Sequence, residues 1–428
     1  ETQENPQALP DGWLVCVSSA GEILWQIRPG GLGPDRIEDI VISDSILYFC
    51  GVSGSALTHP EEMPVAHRAD FWVGAVHAET GSLIWQHRWG SPYPDFAYTL
   101  ALSPYRTLLV AGATWEDPAI GLQPILHVVS TRTGEVLQRR LLGKPGLIKR
   151  LRYAKPGLYA CIGEMEQCPF VAALDDVLQI LWRANLQFHP FPSRLEALYI
   201  LKNGLWLIGG QYEGQWGLSA FSSEGRIVWE KTWSLPQATG CLLALAESET
   251  NEIWACGFIQ TETMAHSEYR GGQDVWLSVL NGSGQILWEK ALGGPRDEVG
   301  KAILLTPSYA YIIADKENRF GPLPPHNDAW IAILRAYPCD SLPVRIRHDV
   351  PSLKEKAGRT IRFWIEAPSY TKIERVVWDF GGEATAEGPS VNHIFGTPGL
   401  YEVSARLFLP YGCREVALGS IFLRITRP

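Results

Sequence analysis

A strand, a turn and a second strand ending in tryptophan recur along this chain, and that recurrence limits the fold before any site is considered. Asp11-Gly-Trp13 precedes Gly21-Glu-Ile-Leu-Trp25, Asp70-Phe-Trp72 precedes Gly81-Ser-Leu-Ile-Trp85, and Asp274-Val-Trp276 precedes Gly284-Gln-Ile-Leu-Trp288. A repeat of about fifty residues with strand rather than helix patterning is what a radial array of small sheets requires. Each unit is one hydrophobic-faced sheet that must bury that face on its neighbours.

Between the tryptophan units lie shorter apolar pairs: Ile37 to Ser43 with Ile46 to Gly51, Ala97 to Ser103 with Leu108 to Gly112, Leu147 to Tyr153 with Leu158 to Gly163, Leu195 to Leu201 with Leu205 to Gly209, Cys241 to Ala246 with Ile253 to Gly257, and Ala302 to Leu305 with Tyr309 to Ala314. These six inner pairs favour an all-β propeller of six blades over residues 11–337. The N-terminal outer pair, Trp13 to Ile27, would then complete the last blade and remove the exposed edges. A lone strand at Ala329 to Leu334 keeps seven blades as the alternative. The polar, Pro-containing stretch 1–10 reads as a leader, and a start at Glu1 suits a processed terminus or a trimmed chain.

Two copies are degenerate. Gln138 stands where tryptophan is expected, and Gln179-Ile-Leu-Trp182 lacks the usual turn glycine. A repeat that tolerates such losses uses these residues for packing, since catalysis would not be spread this way.

Cys50, Cys161 and Cys256 fall at one repeat position, where other copies place Ala111, Ile208 and Ala314. Equivalent positions in different blades lie far apart, so these read as small buried residues with free thiols. Cys339 and Cys413 flank the last domain and are the pair expected to bridge.

After Pro338 the period stops, and 338–428 reads as a separate β domain. Val377-Trp-Asp-Phe-Gly381, then His393-Ile-Phe395, then Pro398-Gly-Leu-Tyr-Glu-Val403 resembles the signature of PKD domains, which are immunoglobulin-like sandwiches of extracellular proteins. Gly382 departs from that pattern, because the family usually has Asp after Phe-Gly. The first 337 residues resemble the propeller repeats of secreted and cell-surface proteins of Bacteroidota. Together the resemblances imply a protein outside the cytoplasm, secreted or associated with the cell surface or outer membrane.

A formal net charge of -9 disfavours nucleic acid as a partner. No apolar stretch approaches the roughly 20 residues of a membrane-spanning helix. The ten histidines form no His-Glu-x-x-His or His-x-His cluster, and no Asp-x-Asp-x-Asp-Gly loop is present. No metal, cofactor or catalytic residue is therefore expected.

The candidate contact residues are tryptophans and aspartates. Trp25, Trp85, Trp182, Trp229 and Trp288 share one repeat position and read as packing, whereas Trp89, Trp115 and Trp233 fall outside it and are candidates for surface contact. Asp35, Asp95 and Asp297 each follow a glycine by four or five residues between blades, where a carboxylate can fix a turn or meet a cation or basic partner. Insertions at Val52 to Ala69, Thr261 to Gln273 and Lys316 to Asn327 leave from the junction of the second and third strands of a blade, which marks one rim for partner contact. These features favour a noncatalytic binding or scaffold protein, a subunit of a surface or outer-membrane complex with protein partners. The alternatives are a glycan-binding adhesin and a secreted polysaccharide lyase or glycosidase.

Overall fold

The computed structural model describes residues 12–18, 21–31, 33–54, 69–186, 194–233, 238–261, 272–294, 297–306, 309–318, 326–335, 344–351, 353–367, 373, 375–408, 416–418 and 420–427. The 1–10 leader, the 338 boundary, Cys339, Cys413 and the bodies of the three insertions lie outside these residues. The chain divides into two compact units, Glu1–Glu247 with Ile253–Ala302 and Ile313–Ile331, and Ala332–Pro428 with Ser248–Glu252 and Ile303–Ile312.

Five blades are complete, each with four antiparallel strands in chain order. Blade 1 is Asp35–Ser43, Ile46–Ser53, Asp70–His77 and Leu83–Trp89. Blade 2 is Asp95–Leu102, Thr107–Thr114, Gln123–Ser130 and Val136–Leu141. Blade 3 is Gly146–Lys155, Leu158–Met165, Cys168–Leu174 and Ile180–Asn185. Blade 4 is Arg194–Ile200, Trp206–Tyr212, Gln215–Phe221 and Ile227–Trp233. Blade 5 is Ala238–Glu247, Ile253–Thr261, Gln273–Leu280 and Ile286–Leu292.

The two ends of the repeat differ from expectation. A last sheet holds Glu298–Leu305, Tyr309–Asn318 and His326–Arg335, so the supposed lone strand at Ala329 to Leu334 is its third member. The N-terminal strands Leu14–Val17 and Ile23–Ile27 form a two-stranded sheet of their own rather than joining the last one. All six inner pairs are present.

Second strands are apolar through their middles, as in Leu47 to Val52, Leu108 to Ala113 and Leu158 to Gly163, because both faces are covered there. Leu47 and Phe49 pack with Leu14 of the N-terminal sheet, while Tyr48 and Cys50 pack with Leu100, Val110 and Ile125 of blade 2. The same alternation places Tyr159 and Cys161 against blade 2, and Leu158, Ala160 and Ile162 against blade 4. A strand with two buried faces loses the polar alternation of an ordinary antiparallel strand and reads as a continuous apolar run.

The first strands of blades 1 to 5 carry an extra residue at Glu38, Tyr98, Lys149, Glu196 and Leu243, and that of blade 3 a second at Ala154. Opposite each bulge but that at Ala154 stands a glycine, which ends the inner-pair motif at Gly51, Gly112, Gly163 and Gly257 and lies one residue beyond it, at Gly210, in blade 4. At Gly112 an added Cβ would lie 1.8 Å from the Phe96 carbonyl oxygen, and at Gly257 1.9 Å from that of Cys241. The bulge bends its strand into its neighbour, and only a residue without a side chain fits there.

That register corrects the cysteine alignment. Cys50, Ala111 and Cys256 are equivalent, but Cys161 and Ile208 sit one residue earlier, because Ile162 and Gly209 occupy the matching place. A shift of one residue turns a side chain to the opposite face. The three thiols are nevertheless buried and free, and burial pushes Cys161 up to about 12.

Fourth strands are bulged too, at Ile84, Leu137, Leu181, Val228 and Leu287, and so is the second strand of the N-terminal sheet at Leu24, each directly before the tryptophan position. Bulges in outer strands twist a free edge away from pairing with another chain.

The repeated tryptophans join successive sheets. The indole N–H of Trp25 donates to the Ala78 carbonyl at 2.9 Å, that of Trp85 to Thr131 at 3.1 Å, that of Trp182 to Ser223 at 2.9 Å, and that of Trp229 to Gly282 at 3.1 Å. Each acceptor lies in the turn between the third and fourth strands of the next sheet. In that turn a left-handed glycine lies against the indole: a Cβ would fall 2.6 Å from the Trp25 ring at Gly81, 2.5 Å from Trp85 at Gly134, 2.9 Å from Trp182 at Gly225 and 2.8 Å from Trp229 at Gly284. The glycine and tryptophan of one motif therefore serve different junctions, one on each side of the sheet.

The two degenerate copies are the two halves of one junction. Blade 2 has Gln138 in place of the indole, and blade 3 has Leu178 in place of the glycine. Leu178 adopts φ 64°, is fully buried and belongs to the core shared by blades 2 and 3. Its burial between these blades, at the junction that lacks an indole, offsets the cost of about 1 kcal/mol for a left-handed leucine.

The C-terminal domain is a sandwich. One sheet holds Arg345–His348, Thr360–Glu366 and Ser390–Ile394; the other orders Lys354–Lys356, Ile421–Thr426, Gly399–Phe408, Arg375–Phe380 and Thr385–Glu387. Trp378 and Phe380 are fully buried between them with Phe363, Val403 and Leu423. Gly381 and Gly382 both have left-handed φ, 71° and 79°, and the Asp379 carboxylate accepts the Gly382 N–H at 2.8 Å. The departure at Gly382 thus answers to backbone conformation.

Candidate functional site

One rim of the propeller gathers all six candidate residues. Ladder registers place Asp35 opposite Ser53, Ser53 opposite Asp70 and Phe71 opposite Trp89, so first-strand starts and fourth-strand ends lie at the same end of a blade. Asp95 and Trp233 hold matching positions in blades 2 and 4, and Trp115 directly follows the second strand of blade 2. The insertions leave between Ser53 and Asp70, Thr261 and Gln273, and Asn318 and His326, which is the junction expected and belongs to this rim.

The aspartates hold backbone. Asp35 accepts the Gly31 N–H at 2.7 Å. Asp95, which is 1% exposed, accepts from the Ser91 N–H with one oxygen and from the Thr114 hydroxyl with the other. Four-residue spacing between carboxylate and N–H is the reach of a side chain folding back over its own turn. In the last sheet that role belongs to Glu298, which begins the strand and accepts the Gly294 N–H at 3.0 Å, while Asp297 accepts from Gln273 at 2.9 Å. Counting four residues from Gly294 rather than Gly293 would have found Glu298 in the sequence. Among the described residues no three His, Cys, Asp or Glu side chains gather as a metal site.

The three tryptophans divide. Trp89 stacks on Phe71 at 6.0 Å with 8° between planes, and donates its N–H to His127 Nε2 at 3.3 Å. Trp233 lies opposite Trp216 and packs on the core between blades 4 and 5. Trp115 sits in an exposed loop beside Tyr93, with ring centres 6.2 Å apart and planes 33° from parallel.

His127 carried no sequence signal, yet it is the most perturbed basic group here. It is 2% exposed between Phe71 and Trp89, and desolvation lowers its pKa to about 4. Accepting the Trp89 N–H requires Nε2 to be unprotonated, so the neutral ring carries its proton on Nδ1. This tautomer follows from the hydrogen bond.

A second polar group forms where the first strands of blades 1, 2 and 3 meet. Asp39 Oδ2 accepts from the Thr99 hydroxyl at 2.8 Å, the Leu100 N–H at 3.2 Å and Arg152 Nη1 at 2.9 Å. The bulged residues of blades 3 and 4 pair as Lys149 Nζ with Glu196 Oε1 at 2.5 Å. These carboxylates are satisfied by neighbouring blades, so the arrangement ties strands together.

A PKD domain family model matches residues 350–417. No curated protein sequence matches the chain. Among solved structures, the chain is similar to a protein of unknown function from Bacteroides caccae, with 10% identity and a TM-score of 0.39 over 62% of this chain and 81% of that one. It is also similar to the extracellular domain of a proposed one-component system from B. thetaiotaomicron, with 12% identity and a TM-score of 0.46 over 98% of this chain and 55% of that one. A catalytically inactive virginiamycin B lyase from Staphylococcus aureus with quinupristin gives 11% identity and a TM-score of 0.45, over 72% of this chain and 92% of that one. The chain thus spans about half the length of the B. thetaiotaomicron domain. At these values no property of those proteins transfers to this chain.

Proposed function

We propose that the chain is a noncatalytic extracytoplasmic binding or scaffold protein, a subunit of a bacterial cell-surface or outer-membrane complex. It holds a protein partner on the rim described above. The observation that carries this reading is the placement of three long second-to-third-strand connections on one rim, where blade 3 makes the same connection directly from Met165 to Cys168 and blade 4 from Tyr212 to Gln215. A blade closes with a two-residue turn, so additional chain at one rim of several blades is not required by the fold and is available for recognition. The rim carboxylates and the Asp39 and Glu196 pairs are engaged in holding strands and turns, which supports a presenting surface rather than a reaction centre. The PKD-like sandwich serves as a spacer or second contact.

The test is gentle purification of the tagged full chain from a native envelope, compared with a variant in which 55–68 is replaced by a short Gly-Ser turn. The reading expects a companion protein to copurify with the native chain and to be lost from the variant at unchanged melting temperature. A native chain recovered only as a monomer would contradict it.

A further inference from the structure

The loop 115–121 leaves blade 2 at the half-buried Trp115 and runs on through exposed residues 116–120, and the Trp115 ring is met by Tyr93, which reaches toward it from the turn between blades 1 and 2 and is 42% exposed. That turn is braced. Pro92 and Pro94 flank Tyr93 and fix φ on both sides. The single Ser91 hydroxyl proton is shared between the Tyr93 carbonyl at 3.0 Å and the Trp115 carbonyl at 3.4 Å, and the same oxygen accepts the Tyr93 N–H at 3.1 Å. Asp95 in turn holds Ser91 and Thr114, the residue before Trp115. Two large rings are therefore held beside each other, tilted by 33°, by a network that is set before any ligand arrives.

Glu116, next in the chain to Trp115, pairs with Arg139, and both side chains are partly open to water. We propose that Tyr93 and Trp115 form a stacking shelf for a neutral pyranose polymer, with Glu116 and Arg139 as hydrogen-bonding groups beside it. A sugar ring offers a flat face of C–H groups for an aromatic surface and a rim of hydroxyls for a carboxylate and a guanidinium. Preorganised rings reduce the ordering cost of binding. Neutral rather than charged polymer is specified because Glu116 and Arg139 neutralise each other, and because a chain of net charge -9 with Asp35, Asp95 and Glu298 on the same rim opposes an anionic glycan. This site is independent of the protein-partner reading.

Electrophoresis of the full chain through native gels cast with laminarin, xyloglucan, galactomannan or soluble starch tests the proposal. Retardation is expected in at least one gel. Tyr93→Ala should weaken it about ten-fold, as loss of an aromatic anchor does, while Tyr93→Phe should preserve it, both variants melting like the native chain. Migration unaffected by all four polymers, or retardation that survives Tyr93→Ala, would overturn the shelf.

Discussion

Trp182→Ala should lower the free energy of unfolding by about 3 kcal/mol, the lower end of the range for removing a large aromatic from a core. The side chain is half-buried but engaged on three sides: it stacks on Trp206 at 5.2 Å, donates to the Ser223 carbonyl, and lies under Gly225. Denaturant titration measures the loss. A sharper version uses the junction between blades 2 and 3 as a template, where Gln138 and Leu178 replace the indole and glycine. Trp182→Gln leaves a void, and Gly225→Leu in the native background drives a side chain into the indole. Combined, the leucine occupies the void, so the double variant should be more stable than the sum of the two losses by about 1–3 kcal/mol, the range for residues in direct contact. Simple additivity would contradict an exchange of volume between the two positions.

Acidification should weaken the junction of blades 1 and 2 through His127. Its folded pKa, about 4, lies below the ordinary histidine value of 6.5. Below pH 6.5 the unfolded chain takes up a proton that the folded chain refuses, so stability falls as pH falls through that value, and the loss is complete below about 4. The interval corresponds to about 3 kcal/mol. Protonation would also set an N–H against the N–H of Trp89, which now donates to that nitrogen. Denaturant midpoints of the native chain and of His127→Phe, compared at pH 7 and pH 4, isolate the effect. The variant should lose less on acidification by that amount, whereas parallel losses would show that His127 does not titrate as its burial requires.

The fold was legible in the sequence because a blade buried on both faces writes a continuous apolar strand, and because the turn glycine and the indole are both demanded by packing. Bulges were not legible. One extra residue in a first strand leaves the apolar pattern intact on either side, so Glu38, Lys149 and Glu196 read as ordinary strand residues; the place of Cys161 is legible, since Gly163 follows it by two residues whereas glycine directly follows Cys50 and Cys256. The rim was partly legible. Turn chemistry marked Asp35 and Asp95, but Asp297 and Glu298 are adjacent acids and only backbone geometry separates their roles. Tyr93 and His127 were invisible because each acquires its setting from a neighbouring blade or loop distant in the chain.

Hydrogen exchange of the indole N–H groups, followed by NMR on tryptophan-labelled protein and assigned by single Trp→Phe variants, tests the central claim most directly. Trp25, Trp85, Trp182 and Trp229 each give this proton to a carbonyl of the next sheet, whereas Trp13 is 47% exposed and bonds to the exposed Gln26 side chain. The four junction protons should exchange much more slowly than that of Trp13. Exchange of the four as fast as that of Trp13 would contradict the account of the repeated indoles as the joints between blades.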